Sequence, residues 1–160
     1  MVRTISLIIA SISFIIVIGG ATYEHLAVVP VWSSAVPASL TMFQGPYALT
    51  AQNFWIPIHP VTLVLMSTAL LLNRKTERRV FILVTLGGYL AILAVTAVYF
   101  VPELLALTET TYTTSIDAEL TGRANLWEGL SLVRLVLLLA LAFTLLMGLS
   151  KPDRPARTAG

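Results

Sequence analysis

Residues 80–101 read VFILVTLGGYLAILAVTAVYFV and contain no charged side chain. As an α-helix these 22 residues extend about 33 Å, enough to cross the ~30 Å hydrocarbon core of a bilayer. Inside lipid, backbone amides are satisfied only in a helix or a closed barrel, and this run is too long and too uniformly apolar for a barrel strand. The stretch therefore predicts a transmembrane helix.

Three more apolar runs of similar length lie at about residues 5–29, 54–72 and 126–149. The chain is 57% hydrophobic and only 11% charged, whereas a soluble domain carries roughly a quarter charged residues. We therefore predict an all-α protein with one domain over residues 1–150, an antiparallel up-down four-helix transmembrane bundle. Residues 151–160 are expected to form a disordered tail. The lipid bilayer is the expected partner, and no nucleic-acid partner is expected.

The basic residues predict the orientation of this bundle. Four spans place eight of the ten on one face, which the positive-inside rule makes cytoplasmic. Six of the eight acids and both histidines fall on the opposite, outer face. The prediction is a multi-pass protein of the plasma or inner membrane with both termini cytoplasmic. The eight basic residues are Arg3, Arg74, Lys75, Arg78, Arg79, Lys151, Arg154 and Arg157.

The outer connection at residues 30–53 is unusually apolar for a solvated loop. It contains three prolines together with Trp32, Phe43 and Tyr47. Left in water, these aromatic side chains would form an exposed apolar patch. We therefore expect the loop to be ordered and to cap the outer mouth of the bundle.

The side chains capable of chemistry concentrate at the outer helix ends. Cysteine is absent, which excludes disulfides, thiolate metal sites and dithiol redox chemistry. Antiparallel packing brings the outer helix ends together, and a buried imidazole is costly unless it has a partner or a use. The polar residues predicted to meet there are Glu24, His25, His59, Glu103, Asn125 and Glu128.

Arg134 lies deeper in the fourth span. It follows Trp127 by seven positions, about 10 Å along the helix, and shares a face with Trp127 and Ser131. A cation at that depth costs ~2.5–3.5 kcal/mol on insertion scales. We expect Arg134 to face inward and pair with a carboxylate or carbonyl, either to hold the helix register or to stabilise an anionic ligand. Glu24, Glu103 and Glu128 are the candidate carboxylates.

Several short motifs resemble the anthrone oxygenase-like family of small four-span membrane proteins. They are Tyr23-Glu-His25 with Pro30, Tyr99-Phe-Val-Pro-Glu103, and Trp127 through Leu132-Val-Arg134. The resemblance covers the whole topology. Family members often carry Asn three residues before the Arg, where this chain has Ser131.

The resemblance implies oxidation of an anthrone to an anthraquinone by dioxygen, apparently without a bound redox cofactor. In that interpretation the protein is a membrane oxidoreductase acting on a lipophilic, aromatic or polyketide-like molecule. His25 or His59 is the general base, oriented by Glu24 or Glu103, and Arg134 with Asn125 stabilises the enolate. The substrate-binding side chains are then Tyr23, Trp55, Tyr99, Trp127 and Ser131.

Two other interpretations use the same residues differently. The site could hold a divalent transition metal, because imidazole and carboxylate ligands together suit Zn, Mn, Fe or Cu. Alternatively, the protein is a non-enzymatic scaffold or transport subunit whose capped face binds a partner. The metal ligands would be Glu24, His25, His59, Glu103 and Glu128.

The orientation can be tested with single cysteines, since the chain has none of its own. We expect an impermeant thiol reagent to label a cysteine at Ser34 in intact cells. Cysteines at Arg157 and in the 74–79 connection should react only after the cells are opened. Labelling of the 74–79 connection in intact cells would contradict the predicted topology.

Overall fold

The computed structural model describes residues 1–153, and this part of the chain contains helices and no strand longer than an isolated bridge. Four helical stretches are long and apolar enough to cross a membrane: Val2–Ser33, Gln52–Asn73, Arg78–Thr108 and Ala118–Leu149, here spans 1 to 4. In chain order the elements are α1 (Val2–Tyr23), a first π-helical segment (Glu24–Val28), α2 (Val29–Ser33), a 3₁₀ turn (Leu40–Phe43), α3 (Gln52–Asn73), α4 (Arg78–Val95), a second π-helical segment (Thr96–Phe100), α5 (Val101–Thr108) and α6 (Ala118–Leu149).

The four spans form a ring in which each packs against two neighbours. Helix α1 lies between α3 and α6, and α4 also contacts both of them. Leu7, Phe14, Met66, Ile82 and Leu138 are buried in the shared core. Large apolar residues on the opposite faces remain exposed, as expected of helices in contact with lipid. The predicted four-helix bundle is thus confirmed, and the four apolar spans indicate a multi-pass membrane protein.

The spans extend beyond the apolar runs because polar and proline-containing segments continue the helices. Span 4 begins at Ala118, where the Asp117 carboxylate caps the helix by accepting bonds from the backbone N–H groups of Glu119 and Leu120. Span 1 runs on to Ser33 through Pro30, which stands in the first turn of α2.

A proline closely follows each π-helical segment. Val28 ends the first segment two residues before Pro30, and Phe100 ends the second two residues before Pro102. An interior proline removes one backbone hydrogen bond, and its ring clashes with the carbonyl four residues earlier. In each span a wider π turn lies where that clash would occur. Val29 N–H donates to the Glu24 carbonyl in span 1, and Val101 N–H donates to the Thr96 carbonyl in span 3.

The outer connection is ordered and covers the mouth of the bundle, as predicted. Trp32, Val36 and Leu40 are buried in a second core, together with Trp127 from α6. The Val36 carbonyl accepts bonds from Asp117 N–H and from the Thr121 hydroxyl, which ties the cap to the start of span 4. Tyr47 is 98% exposed, so the expectation that all the loop aromatics pack inward was wrong for this residue.

The first residues of α1, the α3–α4 turn and residues 150–153 meet at the end opposite the cap, here called the basic end. The buried Arg78 donates from Nε to the Lys151 carbonyl and from Nη1 to the Thr4 hydroxyl, both at 2.8 Å. One side chain therefore joins spans 1, 3 and 4. The predicted disordered tail lies outside the described residues beyond Asp153, and with it Arg154 and Arg157.

Replacement of Arg78 should destabilise the bundle. Arg78→Met keeps the apolar stem but leaves the Lys151 carbonyl and the Thr4 hydroxyl without their donors, a loss of about 1–3 kcal/mol in the free energy of unfolding. Thermal or denaturant unfolding in detergent measures it. The matched control is Arg79→Met, because Arg79 is exposed. Equal losses in the two variants would show that net charge, not the bonding of Arg78, stabilises this end.

Candidate functional site

His25 is the most unusual polar residue of the bundle. It is buried in the first π-helical segment, and its Nδ1 lies 2.8 Å from the Ala21 carbonyl oxygen. A carbonyl can only accept, so Nδ1 carries the hydrogen, and in the neutral ring Nε2 bears the lone pair. Nε2 is buried and has no hydrogen-bond partner. Buried polar groups are normally paired, so the unpaired Nε2 of His25 is an unusual feature of the bundle.

Glu24, the neighbour of His25, begins a chain of contacts that reaches the second histidine. Trp55 Nε1 donates to Glu24 Oε1 at 2.8 Å, and the Trp55 ring stacks on His59 with centroids 5.4 Å apart. His59 Nδ1 lies 2.6 Å from the hydroxyl of the buried Tyr89. The first π-helical segment, α3 and α4 are thereby joined through these side chains. Glu24 thus links the surroundings of the two histidines.

Arg134 faces inward, as its position predicts, but its partners differ from those expected. Its guanidinium donates to Ser131 Oγ at 2.7 Å and to Thr96 Oγ1 at 3.2 Å. It also lies 4.2 Å from the centre of the Phe100 ring, a cation–π distance. Among residues 1–153 no carboxylate lies within 4.0 Å of it. The predicted pairing with a carboxylate was therefore wrong, because span 3 supplies a hydroxyl and a ring at that depth.

The two span-3 partners of Arg134 belong to the second π-helical segment, which the sequence analysis did not predict. Thr96 is the first residue of that segment and Phe100 is its last. One signal was available in the sequence: a Val-Pro pair follows the π-helical segment in both span 1 and span 3.

The five predicted metal ligands do not converge. No group of three or more histidine, aspartate or glutamate side chains in the described part of the chain could hold a metal ion. Glu103 instead forms a two-pronged ion pair with Arg123, at 2.8 and 2.9 Å, and Glu128 accepts a bond from Ser33 at 2.7 Å. Both carboxylates thus already have a hydrogen-bond partner at the capped end of the bundle. The ligand set of the metal interpretation is therefore not assembled.

The predicted substrate-contacting residues divide into buried and exposed groups. Trp127 and Ser131 are buried on the inner face of α6, where Trp127 Nε1 donates to the Phe100 carbonyl at 2.9 Å. Asn125 is exposed, because it lies off the face that buries Ala124 and Trp127. Tyr23 and Tyr99 are 65% and 36% exposed. The structure therefore keeps Trp127 and Ser131 near Arg134 and places Asn125 on the outside of its helix.

No protein-family model matches the chain, and neither a curated protein nor a solved structure matches it. The resemblance to the anthrone oxygenase-like family accordingly stays a prediction drawn from the short motifs.

The Tyr89–His59 bond should hold the second histidine in place. Tyr89→Phe removes the hydroxyl but keeps the ring that packs on Phe14, so we expect a loss of about 1–3 kcal/mol from the unpaired imidazole nitrogen. Nitrogen NMR of labelled histidine should show changed ring signals for His59 and unchanged signals for His25. Tyr23→Phe is the control, since Tyr23 is mostly exposed. Unchanged His59 signals in Tyr89→Phe would refute the bond.

Proposed function

We propose that this protein is a membrane-embedded, oxygenase-like enzyme that deprotonates a lipophilic aromatic substrate at His25. The observation that carries the proposal is the buried, unpartnered Nε2 of His25. Because the Ala21 carbonyl holds the hydrogen on Nδ1, the free lone pair of the neutral ring has a defined direction. A general base needs such a nitrogen within reach of the proton that it removes.

Arg134 is the group that stabilises the resulting anion. A guanidinium has five N–H donors, and the hydroxyls of Ser131 and Thr96 occupy only two of them. Because no carboxylate neutralises it within ion-pair distance in residues 1–153, its charge is available to an enolate or phenolate oxygen. A fixed cation in surroundings of low dielectric constant is an effective stabiliser of developing negative charge.

For an anthrone the proposed reaction is balanced with dioxygen as the only oxidant. His25 removes one proton of the ring CH₂ group, and the substrate anion forms a carbon–oxygen bond with O₂. The proton returns to the outer oxygen to give a hydroperoxide. Loss of the second C–H proton then breaks the O–O bond, leaving a carbonyl and one molecule of water. Dioxygen is reduced by the substrate itself, so the step calls for no protein-bound redox group.

The other polar residues have positioning roles in this proposal. His59 Nδ1 is engaged with Tyr89, so His25 is the better candidate for the base. Glu24 is held by Trp55 and lies next to His25 in the chain, where it can stabilise the imidazolium formed during proton transfer. With the basic end in the cytoplasm, the site lies in the outer half of the membrane, where a lipophilic substrate partitions.

The proposal is tested with an anthrone and purified protein in detergent. Under air we expect oxygen uptake and an equal amount of anthraquinone. His25→Gln should lower the rate by about 10²- to 10⁴-fold, the usual contribution of a general base. Arg134→Met should lower it by about 10²- to 10³-fold, as for loss of an oxyanion donor. The same-helix control Arg123→Gln should keep its rate, because Arg123 belongs to an ion pair in the cap region.

Anaerobic binding separates chemistry from folding. Without oxygen, the bound anthrone should show the red-shifted absorption of its anion with the wild-type protein and not with His25→Gln. If Arg134 only held the helices together, Arg134→Met would lower the melting temperature and leave the anion spectrum unchanged. No anion and no turnover with the folded wild-type protein would overturn the proposed function and favour a scaffold or transport subunit.

A further inference from the structure

A groove opens at the basic end, far from His25 and Arg134. It lies between the last turn of α3 and the first turns of α4, which are joined by the short turn at residues 74–77. Its volume is about 370 Å³, within the ~300–1,000 Å³ range of small-ligand sites. Four of the six lining residues are aliphatic and two are arginines: Leu70, Val80, Leu83, Val84, Arg74 and Arg79.

The basic residues at this end fall into two groups. Arg78 is buried and bonded to Lys151 and Thr4, and Arg3 bonds to Asp153. Arg74, Lys75 and Arg79 are exposed and form no ion pair within residues 1–153, and of these three Arg74 and Arg79 line the groove. The nearby acid of the turn, Glu77, is also exposed and unpaired in that part of the chain. The two groove arginines therefore present uncompensated charge beside an apolar surface.

We propose that this groove binds one anionic phospholipid from the leaflet at the basic end. The headgroup phosphate contacts Arg74 and Arg79, and an acyl chain lies along Leu70, Val80, Leu83 and Val84. Charge complementarity selects the anionic headgroup, as in basic pockets between transmembrane helices. The aliphatic lining matches an acyl chain, which a free phosphate or glycerol phosphate lacks.

The arrangement of the groove favours a lipid over a soluble anion. Val80, Leu83 and Val84 are 55%, 58% and 51% exposed and continue from Arg79 along α4 into the apolar part of the span. A headgroup at the arginines thus leaves its acyl chain beside aliphatic side chains at membrane depth. Lipid binding in this groove is independent of the proposed enzymatic function, since none of the groove residues belongs to the His25–Arg134 site.

The inference is tested by measuring lipid retention in neutral detergent by native mass spectrometry. We expect wild-type protein to retain one phosphatidylglycerol in preference to phosphatidylcholine with the same acyl chains. Arg79→Gln and Arg74→Gln should each weaken phosphatidylglycerol binding by about tenfold or more, the loss of one charge-assisted contact with the phosphate. Glycerol phosphate should not displace the lipid. Leu83→Ser should weaken retention although it removes no charge.

Lys75→Gln is the matched control, because it removes one positive charge from the same turn but does not line this groove. Lys75 and Arg79 are both exposed, so Lys75→Gln and Arg79→Gln should each melt at the wild-type temperature. Equal weakening of phosphatidylglycerol binding by Lys75→Gln and Arg79→Gln would overturn the proposed lipid site. It would indicate that the lipid is attracted by the overall positive charge of this end. Equal retention of the two lipids by wild-type protein, or displacement by glycerol phosphate, would overturn the proposed site as well.

Discussion

Backbone hydrogen bonding inside an apolar medium is the constraint on which this structure depends. Each span must satisfy its own amides, yet Pro30 and Pro102 interrupt spans 1 and 3 near their outer ends. The chain continues through both as helix, with a π-helical segment just before each proline. Those segments carry His25 and the two span-3 partners of Arg134. The irregular backbone and the residues proposed for chemistry therefore occur together, as is common for π-bulges at functional sites.

The second consequence of the apolar medium is that buried polar side chains are paired. Ser13 bonds Thr62, His59 bonds Tyr89, and Trp127 bonds the Phe100 carbonyl. Against that background, the bare Nε2 of His25 is an exception. Arg134 is a second exception, because hydroxyls and an aromatic ring surround it where a carboxylate would neutralise it. Within residues 1–153, an imidazole nitrogen without a partner and a guanidinium with no carboxylate within 4.0 Å are complementary to a weakly acidic ligand.

The two ends of the bundle are stabilised in different ways. At the capped end, aromatic packing and the Glu103–Arg123 pair hold the connections, with the Trp32 ring tilted against Trp127 and edge-on to Phe43. At the basic end, Arg78 joins three spans through carbonyl and hydroxyl acceptors. Arg74 and Arg79, by contrast, are exposed and form no ion pair within residues 1–153. Arginines close together in the chain therefore differ in their surroundings.

The helix count and the grouping of the basic residues follow from the sequence alone, because apolar runs of about 20 residues satisfy their backbone groups in lipid as helices. The sequence also placed Arg134 on an inner face, since a cation on the lipid side is costly. Which polar groups meet depends on the tertiary fold. Glu103 pairs with Arg123, Asn125 is exposed, and Arg134 contacts Thr96 and Phe100. Helix rotation and the phase shift of a π turn set these contacts, and neither is encoded in spacing along a single span.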